Sequence, residues 1–302
     1  YPMQIGNGAL ILTPAIAAEF DGFVLPAGWS SNVWPGGTAP TFGSGQVTLN
    51  GVSIRNDTLL NAGTSLEFAA TFTNQSYQHI GFGAGDTTYN APPWAMFSTG
   101  SSGDQLYARV HTGSGGDDVT PLGASYLGSS HQYRIDWNAS SVAFYIDGSL
   151  VLTRPIAVPA QMRVAASDLT VSDPAVVVDW MHVSPYASPC TFTSHVFDAG
   201  QAVNWETLSW TGQTPAGTSF AFSYRIGNTP TPDGTWTSFT SVPTSGAALT
   251  GNTRYIQYQV VLATTNTLIT PVLEDVSITY SLGADVTPPT IIGRDPAPNE
   301  TD

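Results

Sequence analysis

The sequence predicts an all-β chain made of two antiparallel β-sandwiches. Three observations carry this expectation. Apolar and aromatic residues alternate with polar ones in many short runs, the pattern of strands with one buried face. Turn signals separate these runs at roughly the 8–12-residue spacing of a sandwich or barrel, and 30 glycines and 22 prolines supply them. No helical period persists beyond about two turns of pattern.

The stretch His131–Gly148 shows the alternation best. His131, Tyr133, Ile135 and Trp137 alternate with Gln132, Arg134 and Asp136. After a polar break at Asn138–Ser141, Val142, Phe144 and Ile146 alternate with Ala143, Tyr145 and Asp147. Asp147-Gly148 suits a tight turn with positive φ and leads into Ser149–Thr153, so a three-stranded meander is expected. Upstream, residues 1–18 read as an extended apolar segment, either an edge strand or a strand lent to another molecule. Phe20–Trp29 opens the sandwich. Gln46–Asn50 and Val52–Ile54 read as a hairpin about Asn50-Gly51. Leu66–Phe72 alternates cleanly, and Gln78–Gly83 is a strand whose glycines admit a close backbone or ligand. Ala95–Thr99 and Gln105–His111 are partner strands, Gly113–Asp118 is a loop tip, and Met162–Ala166 and Val176–Val183 complete the set.

Pro185-Tyr-Ala-Ser-Pro189 ends this first domain, placed at residues 1–187. The second, 188–282, is also all β, with strand-like runs at Phe192–Phe197, Thr207–Trp210, Ser219–Ile226, Thr235–Phe239, Tyr255–Leu262 and Val272–Tyr280. Residues 283–302 shift to proline and aspartate and read as a linker or the start of a further domain.

Several of these stretches carry resemblances. His131-x-Tyr133, then Trp137, then Val142-x-Phe-Tyr-Ile-Asp-Gly148 resembles the late-strand signature of concanavalin A-like sandwiches, which include laminarinase- and lichenase-type glucanases and laminin-G-like lectin domains. The resemblance implies a jelly roll of two curved sheets, one of whose faces holds a glycan. Phe197-Asp-Ala-Gly, Pro215-Ala-Gly-Thr, Arg225-Ile-Gly-Asn, Arg254-Tyr-Ile-Gln-Tyr and Thr270-Pro-Val-Leu resemble a recurrent module of bacterial secreted and surface proteins. Asp285-x-Thr-Pro-Pro-Thr with Asp295-Pro-Ala-Pro resembles the lead-in to a bacterial Ig-like repeat.

Composition bounds the function. A chain of 302 residues suggests about two domains at ~150 residues each, enough for two cores. There is no lysine, and eight arginines face 22 acidic residues for a net charge of −14. Nucleic acid and anionic membrane surfaces are therefore poor partners, since both need basic patches. Only 10% of residues are charged, which favours an extracellular or cell-surface location. No apolar run reaches the ~18 residues of a membrane-spanning helix. The chain begins at Tyr1, so processing or an excerpt is expected. Asn56, Asn74, Asn138 and Asn299 stand in Asn-x-Ser/Thr triplets, weak marks of glycosylation. Cys190 is the sole cysteine; it has no internal partner and reads as a buried free thiol.

The glucanases of the resembled fold carry a strand with Glu-x-Asp-x-x-Glu, whose carboxylates act as nucleophile and acid/base. That strand should fall near Trp94–Thr99, where this chain has Trp-Ala-Met-Phe-Ser-Thr and no carboxylate; Asp86 and Asp104 stand in flanking loops. The expectation is therefore no enzyme. A sugar needs aromatic planes beside amide, carboxylate and guanidinium groups, and Trp94, Tyr89, Asn90, Trp34, Arg109 and His111 are the candidate glycan-binding set. Asp117 and Asp118, with Asp86 or Asp104, are candidate calcium ligands, solvated loop carboxylates being the alternative; no other cofactor is expected. The five histidines show no zinc spacing. Two readings follow. One is a non-catalytic, lectin-like glycan-binding or adhesion segment of a larger secreted protein. The other is a structural subunit of an extracellular filament or surface layer, whose partners are copies of itself. A glycoside hydrolase is a minor third.

Overall fold

The computed structural model describes residues 8–282 apart from 86–88, 90, 172 and 173. These fall into two units, drawn from Tyr1–Phe192, Thr211–Phe220 and Val261–Asp275 in one case and from Thr193–Trp210, Ala221–Val260 and Val276–Asp302 in the other. Among the described residues the only helical element is a single 3-10 turn at Ala124–Tyr126.

The first fifteen strands are β1 (Ile16–Ala18), β2 (Trp29–Val33), β3 (Thr41–Gly43), β4 (Gln46–Leu49), β5 (Val52–Asn56), β6 (Thr64–Thr71), β7 (Gln78–Gly83), β8 (Trp94–Ser98), β9 (Leu106–His111), β10 (Asp118–Gly123), β11 (His131–Trp137), β12 (Val142–Ile146), β13 (Ser149–Arg154), β14 (Arg163–Asp168) and β15 (Val176–Val183). They form two antiparallel sheets. One has the order β13-β12-β11-β6-β15-β4-β3, with β1 added on β15; the other runs β10-β9-β8-β7-β14-β5-β2.

The core lies between the two inner faces. Tyr133, Ile135 and Trp137 of β11 and Val142, Phe144 and Ile146 of β12 are buried, as period-two alternation requires. Phe97 of the second sheet reaches across to Tyr133 at 4.9 Å and Phe144 at 5.2 Å, and Phe82 meets Trp137 at 5.4 Å between ring centroids. Tilted and edge-on rings at such distances add to simple area burial. The predicted meander is present: β11 pairs β12 and β12 pairs β13. Asp147 (φ 48°) and Gly148 (φ 76°) make its second turn.

A third sheet is built from β16 (Cys190–Thr193), β17 (Phe197–Gln213), β18 (Thr218–Gly227), β19 (Thr240–Val242), β20 (Ala247–Ala248), β21 (Asn252–Thr264) and β22 (Val272–Leu282). Its central order is β19-β18-β21-β17-β20, with β16 on β21 and β22 on β17. Trp205, Leu208, Phe222, Tyr224, Ile256 and Val260 are buried in the second unit, and Trp210 stacks on Phe222 at 4.1 Å.

Several expectations need correction. Asn50-Gly51 does not join a hairpin. β4 pairs with β3 and β15, whereas β5 pairs with β2 and β14 in the opposite sheet. The turn is a corner between sheets, and Val47, Leu49, Val52 and Ile54 enter one core from opposite sides. The true hairpin partner of β4 is β3, through Ser44 (φ 52°) and Gly45 (φ 74°). Trp180 is buried and stacks on His182 at 4.6 Å, outside the central cluster of core residues. Cys190 is partly exposed; its thiol donates to the Ala187 carbonyl at 3.3 Å. Of the segment proposed for lending to a neighbour, residues 1–7 lie outside the described residues. Leu10 exchanges backbone hydrogen bonds with Leu273, and the Leu12 amide donates to Thr270 Oγ1, so the end of that segment is paired within its own chain. The proposed linker 283–302 also lies outside the described residues.

Candidate functional site

The site lies on the outer face of the sheet that contains β7, β8 and β9. Alternation sends Ala95 and Phe97 of β8, and Leu106, Ala108 and Val110 of β9, into the core. Trp94, Met96 and Ser98, and Tyr107, Arg109 and His111, therefore share the other face. Antiparallel register lines these residues up in rows. Arg109 stands opposite Met96, Met96 opposite Gly81, Gly81 opposite Ala165, and Ala165 opposite Arg55. In the next row Tyr107, Ser98, His79, Ser167 and Ser53 follow in turn. In a third, His111 stands opposite Trp94, and Trp94 opposite Gly83. The middle of the face is thus largely glycine, alanine and serine, and one rim is aromatic and cationic.

At that rim four of the predicted residues meet. The Trp94 and His111 rings lie 5.0 Å apart, and the Arg109 guanidinium sits 5.6 Å from the Trp94 ring centre. Trp94 Nε1 donates to Asp117 Oδ1 at 3.0 Å, and Arg109 Nε donates to Asp117 Oδ2 at 2.8 Å, with a second Arg109 nitrogen on the same oxygen. This two-nitrogen pairing fixes the guanidinium plane. Tyr89, the fifth member, lies over the floor: its hydroxyl donates to the Ala165 carbonyl at 2.8 Å and its ring meets His79 edge-on at 5.4 Å. Desolvation raises the Tyr89 phenol well above its usual range, so it stays a donor.

Trp34 does not join this cluster. It follows β2 at the opposite edge of the sheet, with its amide on the Gly51 carbonyl. Asn90 and Asp86 lie outside the described residues. The expected calcium pair is corrected: Asp117 is held by Arg109 and Trp94, whereas Asp118 accepts from Arg154 Nε of β13 at 2.7 Å. The two carboxylates of the expected pair thus have different partners. Among the described residues no group of three or more histidine, cysteine or acidic side chains is placed to hold a metal.

Three members escaped the sequence reading. Tyr107 obeys the same alternation as Arg109 and His111 and was legible on that ground; its hydroxyl donates to Asp104 at 3.0 Å. His79 and Ser98 were not, because only the register brings His79 Nδ1 within 2.9 Å of Ser98 Oγ. Burial, then Arg109, lowers the His79 pKa to about 3, so His79 is neutral at physiological pH and is no general acid there. Hydrogen bonds from Ser102, then Tyr107, lower that of Asp104, which keeps it ionised.

No protein-family model matches the chain, and no curated protein matches its sequence. Solved structures do. The endo-β-1,3-glucanase of Pyrococcus furiosus is 13% identical, with 59% of this chain and 95% of that chain covered and a TM-score of 0.45. The laminarinase of Flavobacterium sp. UMI-01 is 16% identical over 58% of this chain and 100% of its own, with a TM-score of 0.44. Rv0315 of Mycobacterium tuberculosis, described as an immunostimulatory antigen and pseudo β-1,3-glucanase, is 16% identical over 58% and 99%, with a TM-score of 0.42. The all-β antiparallel sandwich of this chain rests on its own strand order. The expectations of a non-catalytic adhesion segment and of no enzyme are withdrawn, because carboxylates do stand at this face. The bare β8 strand was too narrow a ground for them, because Asp104 and Asp117 reach this face from outside β8.

Proposed function

We propose that the first unit is a carbohydrate-active domain that takes a neutral polysaccharide chain on the outer face of the β10-β9-β8-β7-β14-β5-β2 sheet. The observation that carries this reading is the Trp94–His111–Arg109–Asp117 cluster beside a floor of glycine, alanine and serine. A sugar ring offers apolar C–H faces and a girdle of hydroxyls. Aromatic planes cover the first, and a few fixed polar groups orient the second. The net charge of −14 disfavours polyanionic chains. Cleavage of a glycosidic bond calls for two carboxyl groups; beside the aromatic rim the candidates are Asp104 and Asp117. The low charge content supports an extracellular setting as part of this proposal, and the motifs of residues 188–282 support a module of secreted or surface proteins.

The test is calorimetric titration of laminarin and lichenan, with reducing ends assayed in parallel. Binding is expected, and Trp94→Ala should weaken it by on the order of 1–3 kcal/mol, about 5–150-fold, the range of an interface anchor. Reducing ends that vanish in both Asp104→Asn and Asp117→Asn would assign cleavage to this pair. A folded protein that neither binds nor cleaves any neutral polysaccharide overturns the reading.

A further inference from the structure

We infer that Tyr89 partitions the outer face into two subsites and so limits the length of the carbohydrate chain that one molecule can take, an inference that rests on the reading above. Two clefts open on the described part of this face. One, of about 310 Å³, is lined by Tyr77, Ser102, Tyr107 and Arg109 among others; the second, of about 220 Å³, is lined by Ser30, Ser31, Asn32, Ser53 and Arg55. Register places them in continuous rows: Arg109 leads through Met96, Gly81 and Ala165 to Arg55, and Tyr107 leads through Ser98, His79 and Ser167 to Ser53. From β9 to β5 there are four inter-strand steps of ~4.8 Å, roughly 19 Å in all. That span is longer than one sugar ring, so a chain occupying both clefts must cross β8, β7 and β14.

Tyr89 stands in that path. Its ring lies so close to Gly83 that a Cβ there would come within 3.0 Å of Tyr89 Cε1. Its hydroxyl is tied to the Ala165 carbonyl of β14, and its edge rests on His79 of β7. The ring is therefore anchored to β7 and β14, two of the three strands that separate the clefts. The side chains beneath are hydrogen, methyl or hydroxymethyl at Gly81, Gly83, Ala165 and Ser167, with Met96 and His79 beside them in the same rows, so removing the phenol would lower the barrier to the level of the His79 ring. The second cleft has a different chemistry from the first: hydroxyls, an amide and a guanidinium without an aromatic plane. It suits hydroxyl contacts at the far end of a longer chain.

The experiment is a ladder of neutral β-glucan oligosaccharides of increasing length, titrated calorimetrically into the wild-type chain, Tyr89→Ala and Tyr89→Phe. In the wild type, affinity should rise with length and then level off once the first cleft is filled; Tyr89→Phe, which keeps the ring, should level off at the same length. In Tyr89→Ala the rise should continue, so that the longest oligosaccharide binds at least tenfold tighter than to the wild type. Adding Arg55→Ala to Tyr89→Ala should abolish that gain. Tyr89→Leu is the milder replacement should the alanine variant fail to fold. An identical plateau in wild type and the smaller variants overturns the partition while leaving the binding reading intact. Absence of binding at every length in the wild type removes the binding reading, and the partition with it.

Discussion

Asp168 closes β14 with no exposed surface, and two opposed effects act on its carboxyl group. Three donors point at it: Gln78 Nε2 at 2.8 Å and the Val176 amide at 3.1 Å on Oδ2, and the Thr170 amide at 3.1 Å on Oδ1. These favour the ionised form. Burial opposes them and is the larger effect, raising the pKa from 3.8 to about 6. The folded chain therefore binds more protons than the unfolded one between these values, and stability must fall as pH rises through that window. The gap corresponds to ~3 kcal/mol lost between about pH 3.5 and 7. Asp168→Asn removes the titration, but an amide has one acceptor oxygen, so at least one of the three donors loses its partner, at ~1–3 kcal/mol. The variant should be the less stable protein by that amount near pH 3.5, and equal to or more stable than the wild type at pH 7. Urea unfolding followed by tryptophan fluorescence at several pH values measures this difference, and titrations common to both proteins cancel. A stability gap that stays constant, or widens in favour of the wild type towards pH 7, would show that the three N–H donors outweigh burial and would refute the argument.

Two further substitutions test the packing beneath and opposite the site. In Gly81→Ala the new Cβ would fall 2.3 Å from the Ala95 carbonyl oxygen and 2.6 Å from Met96 Cα, both backbone atoms; the forced shift should cost ~1–3 kcal/mol, and an unchanged melting temperature would count against the packing described. Glu19→Ala removes the carboxylate that meets His182 Nε2 at 2.6 Å, with side-chain exposures of 4% and 2%. A loss of ~1–3 kcal/mol in chemical denaturation is expected for removing a buried hydrogen-bond partner, and an unchanged stability would count against the contact.

The sequence by itself determined the fold class and which face of most strands is buried, because period-two alternation is a local property of the chain. It placed Tyr133, Trp137, Phe144 and Ile146 in the core and located the Asp147-Gly148 turn, where the needed positive φ is written in the residue types. It also placed Arg109 and His111 on one face of β9, and it nominated Trp94. It did not determine which sheet a strand joins. Val47, Leu49, Val52 and Ile54 show the same alternation whether Asn50-Gly51 closes a hairpin or turns a corner between sheets, since both bury the same side chains. Only the tertiary structure decided the register, and register made the site. It set Trp94 beside His111, brought Ser98 to His79, sent Asp117 and Asp118 to different arginines, and left Trp34 at the far edge. Cross-strand neighbours are tens of residues apart in the chain, and a shift of one residue would have turned each of these side chains to the opposite face.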